Sequence, residues 1–293
     1  MKDYLIVTDA TCDMNQDILE HYHMPVIPMN VVMTDGRSFL HYPDFRNFSA
    51  HEFYQALEGG AFASTSQITP AQYLDFFRPL LADGNDILYI CFTSGMSNTY
   101  NNAVMAADDL HSEFPDRKFV VIDSLCACGG EGVFAVKAAE NREAGMGLEE
   151  NAAWLTENRL KLAHYFTVGT LTYLYRGGRV NAATCKISNV LDIKPMLFVG
   201  NTGAIEMLSV VRGRKASLRK LISLTEQTIR NPEEQALYIS CTDCMDEAKQ
   251  LRQEVMEKIP CKDVIITTVG PVVGTHTGPS HMCLFSWGTG RRP

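Results

Sequence analysis

Three short polar segments carry the side chains with which this chain could do chemistry. Ala63 to Gln67 reads Ala-Ser-Thr-Ser-Gln, and Thr93 to Thr99 reads Thr-Ser-Gly-Met-Ser-Asn-Thr. The third, Gly270 to Pro279, is read as a glycine-punctuated loop leaving a strand, and it holds one histidine, His276. Hydroxyls outside the carboxyl ends of strands in an open α/β sheet, where helix N-termini offer free N–H groups, suit an anionic head group. The same side chains suit a plainer role, since Ser97, Asn98 and their neighbours can cap the helix that follows. The glycines of the third segment permit a close backbone approach, and a histidine there can donate to a carboxylate or shuttle a proton. A lone loop histidine is also often merely solvated.

Rival chemistries use the same residues. Ser94 or Ser97, His276, and Asp9 or Asp123 could serve as nucleophile, base and orienting acid, which makes a serine-dependent ester or thioester hydrolase the alternative function. Thr93 to Ser97 lacks the flanking glycines of a nucleophile elbow, which counts against it. His21, His23, His41, His51, His111, His164 and His281 show no metal-binding spacing, so no metal site is expected. Cys241-Thr242-Asp243-Cys244 lies between a strand and a helix, where a CxxC pair could be redox active; buried thiols or a helix cap by Asp243 explain it more simply. Basic residues gather at Arg176 and Arg179 and again at Arg212, Arg214 and Lys215. Such a patch fits a phosphate, an acidic partner or plain solvation.

The elements that must position these residues follow from length and pattern. At 293 residues the chain fits two domains of ~100 to 200 residues each. A formal charge of -8, with 26 basic and 34 acidic residues and no dense basic stretch, argues against nucleic acid. The apolar runs are too short to span a membrane and the start has no signal-peptide pattern, so cytoplasmic residence is expected. Nine scattered cysteines read as thiols in a reducing compartment.

Strand-like runs at Tyr4 to Thr8, Val26 to Met33, Ile87 to Phe92 and Phe119 to Asp123 alternate with helical stretches at His51 to Leu57, Ala71 to Leu81, Thr99 to Leu110, Glu131 to Glu143 and Glu149 to Leu162. That alternation predicts an α/β fold with a doubly wound, mostly parallel sheet in an N-terminal domain, residues 1–162. Beyond it, six strand-like runs and two helices predict a smaller, mixed α+β domain, residues 163–293. Phe198 to Val211 reads there as a hairpin turning at Gly200-Asn201-Thr202-Gly203.

Together these segments resemble the DegV family of fatty-acid-binding subunits that work with a separate bacterial fatty acid kinase. The resemblance runs along nearly the whole chain, through Ile6-Val7-Thr8-Asp9, Thr65-Ser66-Gln67, Thr93 to Tyr100, Asp123-Ser124, Leu171 to Val180, Ile193-Lys194-Pro195 and Gly270 to Pro279. The chain departs from the family pattern at Ala10, at Asn98, at Ser280 and over Trp287 to Pro293. What the resemblance implies is a long-chain fatty acid as ligand between the two domains, with no other cofactor. Thr65 and Ser94 would donate hydroxyls to its carboxylate and His276 would approach from the second domain, with Ser66, Gly95, Ser97 and Gly274 nearby. Arg179, Arg212 and Arg214 would dock the kinase, which would phosphorylate the presented carboxylate to an acyl phosphate. The chain itself is then expected to be a carrier rather than an enzyme.

Overall fold

The run Tyr4-Leu5-Ile6-Val7-Thr8-Asp9 is apolar at successive positions, as a strand covered on both faces must be, and it forms β1 (Tyr4–Asp9). The computed structural model describes residues 4–187 and 192–292. Helix α1 (Gln16–His21), strands β2 (Val26–Ile27), β3 (Met29–Met33) and β4 (Ser38–His41), helix α2 (Ala50–Glu58) and β5 (Ala63–Thr65) follow. Next come α3 (Pro70–Ala82), β6 (Asp86–Cys91), α4 (Thr99–Glu113), β7 (Phe119–Asp123), α5 (Gly129–Glu143) and α6 (Leu148–Asn158). Helices α2 and α3 both start with capping boxes, Ser49 with Glu52 and Thr69 with Gln72. Strands β2, β1, β6 and β7, in that order, make a parallel sheet.

The second half opens with β8 (Leu162–Thr167), α7 (Thr172–Arg176) and α8 (Ala182–Ile187). The hairpin β9 (Ile193–Val199) and β10 (Ile205–Arg212), then α9 (Arg214–Thr228) and β11 (Ala236–Cys241), continue it. It closes with α10 (Met245–Lys258), β12 (Asp263–Thr268), α11 (Pro271–Thr277) and β13 (Met282–Trp287). Its six strands run in the order β10-β9-β8-β13-β11-β12, antiparallel except for the pair β11 and β12. The expected α/β fold, a parallel sheet beside a separate mixed sheet, is therefore what the chain forms.

Several elements differ from the sequence reading, each for a local reason. The single strand expected over Val26 to Met33 breaks at Pro28, which has no N–H for a ladder. Val26 and Ile27 extend the parallel sheet, while β3 joins β4 and β5 in a separate three-stranded antiparallel sheet. The helix read as Glu149 to Leu162 ends at Asn158, because Leu162 already begins β8. The loop expected over Gly270 to Pro279 is mostly helix α11, whose β-branched residues and central glycine carry little helix propensity of their own. Tertiary anchors supply what propensity lacks: the Gly270 N–H donates to the Asp13 carboxylate (2.7 Å) and the Tyr54 hydroxyl to the Val269 carbonyl (2.8 Å).

Three apolar layers result. One lies between the parallel sheet and helices α3 and α4, with the small sheet and α2 beside it. A second lies on the other face of the parallel sheet and reaches the mixed sheet through α5, which is buried along most of its length. The third lies behind the mixed sheet under α9 and α10. No helix among the described residues is long and apolar enough to cross a membrane.

The chain's unfamiliar end proves structural. Arg291 is buried, and its guanidinium donates to the carbonyls of Leu125, Gly200 (3.1 Å) and Arg159 (2.9 Å) and to the Cys126 sulfur (3.2 Å). It thereby ties the β9–β10 turn to the loop after β7. Arg291→Met is expected to destabilise the protein by about 3 kcal/mol, because it leaves buried carbonyls without donors. A urea unfolding midpoint equal to that of the unaltered chain would show that this tie contributes nothing.

Candidate functional site

The strand order places β1 beside β6 at the point where the parallel sheet's winding reverses, and the crevice at the carboxyl ends of such strands is where open α/β sheets bind ligands. A buried polar network fixes the backbone there. The Asp9 carboxylate, at the end of β1, accepts from the Thr11 N–H (2.9 Å), the Thr11 hydroxyl and the Tyr89 hydroxyl (3.0 Å). Glu131, in the first turn of α5, accepts from the Thr8 hydroxyl (2.7 Å), and its other oxygen lies 2.7 Å from the Thr11 Oγ1, so the two acids share the one Thr11 hydroxyl proton. Burial pushes both acids above their ordinary values, and for Glu131 the neighbouring Asp9 adds to the effect.

From this crevice a cavity of about 480 Å³ extends to the mixed sheet, within the ~300 to 1,000 Å³ of small-molecule sites. Phe92, Met96, Val272 and Val273 wall it from one side, and Phe166, Val199, Cys283 and Phe285 from the other. Its polar lining comprises Thr65, Ser66 and Gln67, Ser97, Asn98 and Thr99, Arg179 and His276, with Thr11, His164, Thr277 and His281 besides.

Thr65 and His276, far apart in sequence, meet directly: the Thr65 Oγ1 lies 2.8 Å from His276 Nε2. Strand β5 carries the first and α11 the second. The ring fits because residue 177 is glycine; a Cβ there would stand 2.3 Å from His276 Nδ1. Burial, and then the nearby charge of Arg179, pushes His276 down to about 4, so at neutral pH it is uncharged. Arg179, expected as a kinase-docking residue, lines the cavity, and its guanidinium donates to the Gly177 carbonyl. It is the one arginine or lysine in the cavity lining among the described residues.

The other sequence candidates divide. Ser66 and Ser97 line the cavity. The Ser97 hydroxyl also accepts from the Thr99 N–H (3.2 Å) at the start of α4, while Asn98, the N-cap residue, makes no side-chain cap bond. Ser94 is exposed, with its hydroxyl donating to Asp123 (2.6 Å), and neither it nor Gly95 is part of the cavity wall. Gly95 instead packs on the β9–β10 turn, where a Cβ would stand 2.4 Å from the Thr202 carbonyl oxygen, and Thr93 Oγ1 donates to the Gly203 carbonyl beside it (3.0 Å). Gly274 is buried against Tyr54. Arg212 is exposed, while Arg214 pairs with Glu247 (2.8 Å). Neither Ser94 nor Ser97 is hydrogen-bonded to a histidine, so no nucleophile–base pair of the hydrolase kind is assembled among the described residues. Cys241 and Cys244 are free thiols; Asp243 does not cap α10, because its carboxylate bonds His51 (2.7 Å). No cluster of potential metal ligands occurs among the described residues.

Sequence reasoning missed His164 and His281, which it weighed only as metal ligands. Both line the cavity. The period of two along β8 and β13 was the available signal: it sets His164 beside Phe166, and His281 beside Cys283 and Phe285, on one face.

A switch-point crevice that deepens into a mostly apolar chamber against a second sheet defines a class of two-sheet α/β proteins suited to an amphipathic ligand. The chain belongs to the DegV family: the family model described as "uncharacterised protein, DegV family" matches residues 4–287. It is 33% identical over 293 residues, all of both chains, to a DegV domain-containing protein of Clostridium perfringens. Among solved structures it resembles a DegV family protein from Thermus thermophilus described for fatty acid binding, at 27% identity and TM-score 0.86 over 98% of this chain and 100% of that one. A DegV lipid binding protein of Thermotoga maritima is similar at 28% identity and TM-score 0.84, over 99% and 100% of the two chains.

The neutral state of His276 is directly measurable. The unfolded chain takes up that proton near pH 6.5 and the folded protein near 4, so the histidine's contribution to stability is intact above 6.5 and is lost as pH falls toward 4. A histidine-selective NMR titration should find the His276 midpoint near 4, and Arg179→Met should raise it. An unmoved midpoint in the variant would remove Arg179 from its surroundings.

Proposed function

We propose that this protein binds a long-chain fatty acid, with the tail in the apolar part of the cavity and the carboxylate at the polar end formed by Thr65, His276 and Arg179. The observation that carries this reading is the Thr65–His276 pair beside the cavity's arginine. An anion there needs a positive charge, and the uncharged His276 cannot supply it; Arg179 can. With its proton on Nε2, His276 donates to Thr65 and leaves the Thr65 hydroxyl free to donate to the carboxylate. Ser94 is the third donor in this reading and reaches the ligand only by giving up Asp123. Affinity comes mainly from the tail, at about 0.8 kcal/mol gross for each buried CH₂, and the polar end sets orientation.

In this reading residues 1–162 and 163–293 act as two domains with the ligand between them. The protein holds the acid for a separate kinase, which transfers a phosphoryl group to the carboxylate and makes an acyl phosphate. Family membership supports that partnership, and Arg212, exposed at the end of β10, is the docking residue left free once Arg179 is assigned to the ligand. The reading places the protein in the cytoplasm, where the kinase and its nucleotide would be.

Organic extraction of the purified protein, followed by mass spectrometry, should release long acyl chains. Finding none, and no uptake of added fatty acid, would overturn the reading. Thr65→Val and Arg179→Met should each weaken binding by about ten-fold or more, with a smaller loss for Ser94→Ala, since its hydroxyl already has a partner. Equal affinities for all four proteins would remove these residues from the site.

A further inference from the structure

Among the described residues, one buried polar side chain in the cavity wall makes no side-chain hydrogen bond at all. His281 stands just before β13 and faces the cavity with Cys283 and Phe285. It is buried, its ring lies against that of Phe166 with centroids 5.4 Å apart, and among the described residues neither ring nitrogen has a hydrogen-bond partner. Its backbone is pinned, since the His281 N–H donates to the Thr242 hydroxyl (3.1 Å) and the Thr242 N–H donates to the His281 carbonyl (3.2 Å). Burial, and then the charge of Arg214, pushes the imidazole down to about 3, so it is neutral and offers one N–H donor and one lone pair.

His164, in the same wall, is half accommodated: its Nδ1 donates to the Leu162 carbonyl (3.0 Å), while its Nε2, packed over Gly130, has no partner among the described residues. His281 lacks even the first of these bonds. A buried donor and acceptor left unmade are costly, and such a group marks a place where a ligand atom belongs.

We propose that the cavity is shaped for a hydroxylated acyl chain, whose hydroxyl, carried along the tail, hydrogen-bonds the His281 ring. This inference rests on the fatty-acid reading and adds the substrate class. A hydroxyl can accept from the protonated ring nitrogen or donate to the unprotonated one, so it can bond whichever nitrogen faces the chain. A second carboxylate is a poorer match, because the ring offers it no charge. A plain chain leaves both nitrogens unmade, and sites built to bond a substrate hydroxyl discriminate strongly against the analogue without it.

The test is calorimetric titration of the delipidated full-length protein with octadecanoic acid and with its positional hydroxy isomers. At least one mid-chain isomer should bind about ten-fold more tightly than the parent acid. His281→Leu should abolish that preference, so that the isomers and the parent acid bind the variant alike. Equal binding of the parent and every isomer by the unaltered protein would overturn the inference and leave the fatty-acid reading standing, as would a hydroxyl preference that survives in His281→Leu. Absence of binding by all of them would overturn both. If His281→Leu does not fold, the isomer series with the unaltered protein decides: a single optimum along the chain supports His281, and a flat series refutes it.

Discussion

Everything in this protein is arranged around one crowded helix start. The first turn of α5 lies between the parallel sheet and the mixed sheet so tightly that added side-chain atoms have no room. A Cβ at residue 129 would stand 2.1 Å from Ser240 Oγ, one at 130 would meet His164, and one at 132 would lie 2.5 Å from the Cys12 carbonyl oxygen. Glycine at these positions weakens the helix intrinsically. Burial against both sheets compensates, and the Glu131 side chain at the same turn bonds Thr8 and Thr11. The two sheets are thereby held at a separation that leaves a chamber beside the helix rather than a filled core.

A chamber of that kind has polar edges to satisfy. On the parallel-sheet side Asp9, Tyr89, Thr11 and Glu131 form one network, and on the α11 side Asp13 and Tyr54 take up backbone groups near Gly270. The β9–β10 turn closes over the segment around Thr93 and Gly95, and Arg291 holds that turn from behind. These contacts join residues from both halves of the chain, which is why the cavity wall draws on nearly every part of the sequence.

Electrostatics then differentiates the cavity. Arg179 brings charge to one region of the wall, and the same charge helps to keep His276 neutral. His164 and His281, both buried, are neutral as well, with ordinary values pushed far down by desolvation. The cavity lining thus carries a cation and three uncharged imidazoles; those of His276 and His164 are hydrogen-bonded, and among the described residues the His281 ring is not.

Much of this was legible in the residues. The covered strand Tyr4 to Thr8, the β9–β10 hairpin and the helices with Pro70 and Ser49 near their starts follow from local pattern, because periodicity and capping act within a few residues. The motif order pointed to the family and to Thr65 and His276 as partners. Local pattern could not show that α11 is a helix, since its propensity is poor and its anchors, Asp13 and Tyr54, lie more than two hundred residues away. Nor could it show that Ser94 turns to Asp123, that Arg179 turns inward, or that His281 is left without a partner. Composition and periodicity determined most of the elements, and the order of the motifs determined the family they build. Only the tertiary structure decided which side chains face the cavity and in what protonation state, because facing, burial and pairing depend on neighbours that the chain brings together from opposite ends.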